Sequence, residues 1–235
     1  MHIITAFIII LTFLPAKRIF EAKLPIYPQQ DKILKSSKYV CLTFDDGPHF
    51  YYTKKIVDIL KEYNVKATFF LVGKQAQKYP QLVNYILSHP GCKIANHTFS
   101  HKNLRKLTQI EIEKEIILAH RTFLDITKGE DSLRVIPYLR PPGGNFNENL
   151  IKILQKHKFK LCLWSVFSND LKCKNKDELI KNISHQLDSS KEIILLHSGN
   201  QITLEALPEL IVLLRDKGYD FINIDEIEYE LYNVN

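Results

Sequence analysis

Short apolar runs alternate with amphipathic stretches along most of the chain. The runs are rich in β-branched and aromatic residues, and we predict strands over residues 39–44, 67–72, 92–95, 138–140, 159–166, 192–197 and 219–224. The stretches between them carry apolar residues three and four positions apart, and we predict helices over residues 53–64, 75–88, 108–124, 147–157, 177–187 and 204–217. Thr108 and Glu111 have the spacing of a capping box at the start of the third helix.

This succession of about seven strand-then-helix units predicts a parallel sheet with right-handed crossovers. No glycine-rich loop of the dinucleotide-binding or phosphate-binding kind occurs, and no repeat or low-complexity tract divides the chain. We therefore predict a single α/β domain whose sheet closes into a barrel of seven or eight strands.

The first residues form a separate segment. Residues 3–14 are almost wholly apolar and are followed by a Pro-Ala pair and a Lys-Arg pair. A run of this length is short for a bilayer span but suits the core of a signal peptide. We predict a signal peptide or uncleaved membrane anchor over residues 1–22, a linker over 23–37 and the folded domain over 38–235, in an exported protein of the cell envelope or exterior. A buried N-terminal strand or helix is the alternative.

The formal net charge of +6 changes this interpretation only slightly. Lysines are scattered and no nucleic-acid-binding motif occurs, so we expect no nucleic-acid partner and a solvated surface with a weak preference for anionic polymers.

The four cysteines have no CxxC spacing. Cys41 and Cys162 lie inside predicted strands, where we expect buried free thiols, although export would leave disulfides open.

The polar residues that could carry chemistry follow the predicted strands directly. They are, in chain order, Asp45 and Asp46, His97 and His101, Arg140, Asp170, and His197. In a parallel barrel the carboxyl ends of the strands form one face, where catalytic groups gather. The topology therefore predicts that these residues meet at one rim, although they are far apart in sequence.

Two of these clusters suit a metal ion. Adjacent carboxylates repel each other, so Asp45 and Asp46 favour a bound cation, with one as a ligand and the other left as a base. His97 and His101, four positions apart on a helical turn, would present both imidazoles to one ion. Two histidines and one aspartate leave coordination positions open, as in catalytic sites. Taken singly, the aspartates could equally form an Asx-type turn, and such a histidine pair also arises by chance.

Arg140 and His197 are less distinctive. Two prolines follow Arg140 and fix the backbone, which suits the guanidinium for holding a carboxylate, with Asp45 as the candidate. The alternative is a surface arginine before a structural turn. His197 closes an apolar strand, and a histidine in that position is by itself more often a rim or core residue than a catalyst.

Together the clusters resemble the polysaccharide deacetylase family, the chitooligosaccharide-deacetylase-like domain of carbohydrate esterase family four. The resemblance covers residues 39–227 and rests on five motifs in the family's order. Four of them read Thr43-Phe44-Asp45-Asp46-Gly47-Pro48, His97-Thr98-Phe99-Ser100-His101, Arg140-Pro141-Pro142-Gly143 and Leu195-Leu196-His197. The resemblance implies a distorted (β/α)7 TIM-like barrel, so that residues 38–235 would be the catalytic domain.

The resemblance also implies roles for individual residues. Asp46, His97 and His101 would bind one divalent metal, usually zinc, although cobalt, nickel or manganese can serve. Asp45 would act as the general base. Arg140 would orient the base. His197 would act as the general acid, and Asp170 would keep it protonated. The substrate or oxyanion region would contain Pro142, Gly143, Trp164, Leu171 and Leu195.

The remaining motif, the fourth in chain order, departs from the family pattern. The family often has Asp-x-x-Asp-Trp after Trp-Ser-Val, whereas this chain has Phe167 in place of the first Asp and Leu171 in place of the Trp. Asp170, the second Asp, is kept. Leu171 would give a shallower or differently shaped acetyl pocket, so the departure affects substrate fit more than the chemistry.

The implied activity is hydrolysis of N-acetyl groups on a polysaccharide. Peptidoglycan N-acetylglucosamine is the first choice, because an exported, basic chain suits an envelope substrate; N-acetylmuramic acid, chitin oligomers and exopolysaccharide are the alternatives. We expect a monomer whose contact with the membrane, if any, is through its N-terminus. Two other functions stay open: a catalytically weakened carbohydrate-binding relative, which Phe167 and Leu171 would suit, and a small-amide hydrolase on the same barrel.

Overall fold

The computed structural model describes residues 38–227. The predicted leader (1–22) and linker (23–37) lie outside the described residues and stay predictions. Within residues 38–227, no helix is both long enough and apolar enough to cross a membrane.

The part of the chain that the structure describes alternates strands and helices. The strands are β1 (Tyr39–Gly47), β2 (Ala67–Leu71), β3 (Cys92–Asn96), β4 (Val135–Leu139), β5 (Lys160–Leu161), β6 (Val166–Phe167), β7 (Lys191–His197) and β8 (Asp220–Phe221). The helices are α1 (Thr53–Glu62), α2 (Gly73–Lys78), α3 (Pro80–Leu87), α4 (Gln109–Thr127), α5 (Glu148–Lys156), α6 (Lys176–Ser184) and α7 (Gln201–Asp216).

The strands form one parallel sheet in the order β5-β4-β3-β2-β1-β7-β6, with β8 paired to the start of β1. The predicted strand 159–166 appears as β5 and β6, which pair with β4 and β7 respectively. Between them the Cys162 N–H still donates to the Leu139 carbonyl (2.8 Å), whereas the Ser165 N–H donates to the Ile193 carbonyl (3.1 Å). The segment between β5 and β6 therefore passes from β4 to β7 and brings the two ends of the curled sheet together, which confirms the predicted distorted barrel.

The alternation of side chains along each strand separates an apolar core outside the barrel from one inside it. In β1, Val40, Leu42 and Phe44 face the helices, whereas Cys41 belongs to the core inside the barrel. The interior core also contains Phe70, Ala95, Ile136, Tyr138, Cys162, Ile193 and Ile222. The same alternation places the polar residues that follow these interior positions at the inner rim of the barrel.

The predicted helix 75–88 is wrong as a single element. The chain breaks into α2 and α3 at Tyr79, which has φ −132° and ψ 58°. Pro80 has no N–H and its ring disfavours a helical conformation for the residue before it, so the first helix ends and a second begins.

The capping box at Thr108 and Glu111 is confirmed at the start of α4. The last predicted strand, 219–224, shortens to β8.

All four cysteines are buried and free, as expected for Cys41 and Cys162. Burial raises the pKa of the Cys92 thiol to about 12 and that of Cys162 to about 11. These thiols therefore remain protonated at neutral pH and pack as small apolar groups.

Candidate functional site

Asp46, His97 and His101 come together at the carboxyl end of the barrel. The Oδ1 atom of Asp46 lies 3.3 Å from Nε2 of His97 and 3.0 Å from Nε2 of His101. One ligand atom from each of the three residues lies within 4.8 Å of the others, so the cluster could hold a metal ion. Asp46 belongs to the end of β1, and the two histidines belong to the loop after β3.

The loop that carries the two histidines is not a helical turn, which corrects the prediction from their spacing. Thr98 and His101 have φ values of +67° and +58°, and Asp46 at the end of β1 has a φ of +70°. Left-handed backbone at non-glycine residues is costly and is typical of functional sites. The imidazoles therefore converge through a strained loop, and their ring centroids lie 5.0 Å apart.

Side chains that the motif spacing did not single out hold this loop in place. Asn96 Oδ1 accepts a hydrogen bond from the Thr98 N–H at 2.8 Å. Glu115, from the middle of α4, accepts from the N–H of Ser100 at 2.7 Å and from its hydroxyl at 2.6 Å. A carboxylate on a distant helix leaves no local signal in the sequence, because the contact depends on the packing of α4 against the barrel.

The donor atoms fit a divalent cation such as zinc. The Nδ1 atom of His97 lies 2.7 Å from the carbonyl oxygen of Arg140, so a proton on Nδ1 leaves the lone pair of Nε2 free for an ion. The Oδ1 atom of Asp46 is buried against the two imidazole nitrogens. Burial raises the pKa of Asp46, but its interactions with His101 and His97 outweigh this effect and hold that pKa well below the usual range. The site thus offers two imidazoles and an ionised carboxylate.

Asp45 lies beside this cluster and is held by Arg140. The Arg140 Nη1 donates to Asp45 Oδ1 at 2.8 Å, whereas Asp45 Oδ2 lies 3.8 Å from His97 Nε2. Arg140 is fully buried and also donates to the Thr43 hydroxyl and the Leu163 carbonyl, each at 2.8 Å. The contact expected from the sequence is therefore present, and one carboxylate oxygen of Asp45 remains turned toward the cluster.

We expect Arg140→Met to destabilise the protein by about 3–5 kcal/mol, because it keeps most of the side-chain volume but leaves the Asp45 carboxylate buried and unpaired. Urea unfolding measures the loss. Combining Asp45→Asn with Arg140→Met removes the unpaired charge, so the double variant should be more stable than Arg140→Met alone. The control is Arg121→Met on the exposed face of α4. Equal stability of the Arg121 and Arg140 variants would rule out a stabilising pair.

His197 and Asp170 form a second pair at the same rim. Nδ1 of His197 lies 2.7 Å from Asp170 Oδ1, and the His197 N–H donates to Asp170 Oδ2 at 2.8 Å. Thr203 of α7 also donates to Asp170 Oδ2, at 2.6 Å. Burial lowers the pKa of His197, but the hydrogen bond and charge of Asp170, together with the charges of Asp45 and Asp46, raise it above the ordinary value. No motif includes Thr203, which comes six residues after His197, so its contact with Asp170 could not be predicted from spacing.

The residues predicted to line the substrate or oxyanion region lie around these two pairs. Pro142 is buried in the turn after Arg140, and Gly143 in the same turn is exposed with a φ of +65°. Leu195 is buried in β7, two residues before His197. Trp164 is half-buried, and its ring lies 5.7 Å from the Arg140 guanidinium. The Leu171 side chain is 64% exposed, so among the described residues it does not form the wall of a closed acetyl pocket.

The fold and site define a class, a parallel α/β barrel whose carboxyl rim holds two histidines and an aspartate beside a second, arginine-bound aspartate. The family model for polysaccharide deacetylase matches residues 32–162. The chain belongs to the polysaccharide deacetylase family.

Several similar proteins are named as peptidoglycan deacetylases. A peptidoglycan-N-acetylglucosamine deacetylase from Bacillus cereus is 37% identical over 195 residues, covering 79% of this chain and 66% of that protein. A peptidoglycan-N-acetylmuramic acid deacetylase from Bacillus subtilis is 34% identical, covering 82% of this chain and 72% of that protein.

The solved structures add a contrasting relative. A pseudoenzyme of carbohydrate esterase family four from Bacillus anthracis matches with a TM-score of 0.74 at 28% identity, covering 80% of this chain and 64% of that one. This chain therefore spans slightly less than two thirds of that structure and of the Bacillus cereus relative. Because a pseudoenzyme shares the fold, the fold alone does not establish catalysis.

Proposed function

We propose that the protein is a metal-dependent deacetylase that hydrolyses N-acetyl groups on peptidoglycan, with N-acetylglucosamine as the first choice of sugar. One observation carries the proposal: Asp45, buried and bound by Arg140, has a free oxygen 3.8 Å from His97 in the three-residue cluster. The names of the relatives support the substrate class, with both N-acetylglucosamine and N-acetylmuramic acid represented.

In this proposal Asp46, His97 and His101 hold one divalent ion, with zinc as the first candidate and cobalt, nickel or manganese as substitutes. When bound, such an ion lowers the pKa of a water molecule and polarises the acetyl carbonyl. Two imidazoles and one carboxylate are a ligand set that zinc accepts while leaving coordination positions open.

Asp45 serves as the general base for the attacking water. The bond from Arg140 fixes one carboxylate oxygen, so the other is the atom that receives the proton. Arg140 thus acts as a positioning residue. The backbone of Gly143, in the turn that follows Arg140, is the proposed donor to the oxyanion.

His197 serves as the general acid for the leaving amine. Its Nδ1 is bound to Asp170, which leaves Nε2 as the ring nitrogen that delivers a proton to the sugar nitrogen. Because expulsion of an unprotonated amide nitrogen is prohibitive, this proton completes the cleavage into acetate and a free amine. Asp170 is a positioning residue, which fixes the ring and favours its protonated form.

We expect Asp170→Asn to move the alkaline limb of the pH profile of kcat/KM to lower pH. A general acid must be protonated, so activity falls as pH rises through the pKa of His197. Asp170 raises that pKa against the effect of burial, and the neutral asparagine removes its charge. The measurement is acetate release across the pH range, with Asp177→Asn on the exposed face of α6 as control. An unchanged or upward-shifted limb would contradict the assignment of His197.

The activity is tested by measuring acetate released from peptidoglycan, N-acetylchitopentaose and a small N-acetylated amine, each with and without a chelator. A chelator-sensitive release from the polymers supports the proposal. Release from the small amine alone would favour a small-amide hydrolase. Binding of the glycans without any release would favour a weakened carbohydrate-binding relative, which the pseudoenzyme among the structural neighbours makes worth testing.

The proposed substrate also suggests where the protein acts. A peptidoglycan deacetylase meets its substrate in the cell envelope, which agrees with the predicted export segment over residues 1–22. We expect the protein to act there as a monomer, either released or anchored through that segment.

A further inference from the structure

Phe167 is an apolar ring that the barrel leaves open to solvent. It is 46% exposed, although it lies at the end of β6 in a strand of the barrel wall. Its ring stacks on that of Trp164, with centroids 6.1 Å apart and an interplanar angle of 29°. Both rings are partly exposed, and we call them the aromatic pair. Exposed apolar surface of this kind commonly marks a binding site.

The strand register places the aromatic pair at the mouth of the barrel. Phe167 is paired with Leu195, and Leu195 with Thr43, so these three side chains share one face of the sheet. Thr43 contacts the buried Arg140, so this is the inner face. His197 follows Leu195 by two positions and lies on the same face. Phe167 thus stands on the inner side of the rim, on the strand next to the one that ends in His197.

Neighbouring residues hold the backbone of Phe167 and the ring of Trp164 in place. The Phe167 N–H donates to the Gln186 side-chain oxygen at 3.0 Å, and the Gln186 amide donates back to the Phe167 carbonyl at 2.8 Å. Trp164 packs on Gly144, where an added Cβ would come within 2.8 Å of the indole. Gly144 has a φ of +70° in the turn that contains Gly143, so the glycine serves both the turn and the close contact. The Trp164 ring, held in this way, loses little freedom when a ligand covers it.

We propose that the aromatic pair is a stacking platform for a pyranose ring of the glycan next to the acetylated sugar. The inference rests on the proposed function and adds a subsite to it. Axial C–H groups give a β-linked N-acetylhexosamine an apolar face, and their partial positive charge is attracted to the face of an aromatic ring. On one side, the Trp164 ring lies 5.7 Å from the Arg140 guanidinium. On the other, Phe167 lies on the strand paired with β7, which ends in His197. A glycan chain lying on the platform would therefore pass the catalytic groups.

The platform also explains the departure in the fourth motif. The family often has an aspartate where this chain has Phe167, and an exposed carboxylate could not stack on a sugar. The substitution therefore changes how the glycan is held, and it leaves Asp170, three positions later, in contact with His197. Phe167 marks a change of substrate contact rather than a loss of catalytic machinery.

The first test compares Phe167→Ala, Phe167→Tyr and Phe167→Asp in zinc-loaded protein, with acetate release from N-acetylchitopentaose as the measurement. We expect KM to rise about three- to ten-fold in the alanine and aspartate variants, with the loss in KM rather than kcat, and the tyrosine variant to restore it. Leu133→Ala, which removes an 81% exposed apolar side chain before the start of β4, is the matched control. A wild-type KM in Phe167→Ala, or an equal defect in Phe167→Tyr, would overturn the platform.

A second test does not depend on turnover. Trp164 is the only tryptophan in the chain, so its fluorescence reports on the platform directly. N-acetylchitopentaose is titrated into zinc-loaded Asp45→Asn protein, in which the ligand should stay intact. We expect a saturable change in emission, with a dissociation constant about three- to ten-fold weaker when Phe167→Ala is added. If the emission does not respond to the oligosaccharide, the inference is wrong. If the emission responds but the wild-type protein releases no acetate, only the proposed activity is contradicted.

Discussion

Asp45→Asn is expected to lower acetate release by about a thousand-fold or more, because general-base catalysis by a positioned group typically contributes 10²–10⁴-fold. The asparagine keeps the size of the side chain but cannot take a proton from water. Arg140 keeps its bonds to the Thr43 hydroxyl and the Leu163 carbonyl, so we expect the fold to persist. The measurement is single-turnover acetate release with zinc-loaded protein.

The control for this variant is Asp125→Asn, which makes the same chemical change at an exposed position on α4. We expect it to behave as the wild type. Zinc content and circular dichroism of Asp45→Asn should also match the wild type, because Asp45 is not proposed as a ligand. Activity within about ten-fold of the wild type would show that another group takes the proton.

His97→Ala is expected to abolish both metal retention and acetate release. Replacing a group that merely orients a ligand already costs 10–100-fold in metal affinity, so loss of an imidazole ligand should weaken zinc binding by more than about 100-fold. His97 is almost fully buried, and its Nδ1 is fixed by the Arg140 carbonyl, so another side chain has little room to replace it. Zinc per protein after dialysis and acetate release are measured on the same sample.

His185→Ala is the matched control, since this histidine is exposed at the end of α6. It should retain one zinc per chain and full activity. If His97→Ala kept its zinc while losing activity, the imidazole would have a catalytic rather than a ligand role. If it kept both, the proposed centre would be wrong.

Much of the fold follows from local patterns in the sequence. Apolar runs became strands and amphipathic stretches became helices, because each depends on the spacing of apolar residues within a short window. Asp45, His97, Arg140 and His197 meet at one rim because the parallel topology brings all carboxyl ends of the strands together. Knowing only that each residue follows a strand was enough to predict their proximity.

Other features depend on packing and could not be predicted in this way. The segment between β5 and β6 changes partner strands, which the uniform apolar run 159–166 does not indicate. The histidine loop is irregular because Asn96 and Glu115 hold it, and Glu115 comes from a helix that begins after the motif ends. The spacing of His97 and His101 fits a helical turn equally well. Pro80, by contrast, is a local signal for the helix break, and its effect on the backbone outweighs the apolar spacing around it.

The departure at Phe167 changes the surface beside the site rather than the catalytic pair. By comparison with the family, the changes at Phe167 and Leu171 predict a difference in substrate fit more than in the chemistry, with a weakened carbohydrate-binding relative as the alternative. In the structure, Phe167 contacts Trp164 and Gln186, while Asp170 still binds His197. The alteration thus affects the surface beside the site, and the pair that we propose as acid and positioning residue is complete.

The position of the ion is the most direct test of the proposed centre. Anomalous diffraction at the zinc edge, from crystals of the protein with one equivalent of zinc, should give one strong peak about 2.0–2.2 Å from Asp46, His97 and His101, with Asp45 outside bonding distance. A peak at another acidic and histidine pair, such as Glu113 and His157, or one in which Asp45 is a ligand, would contradict the proposed site.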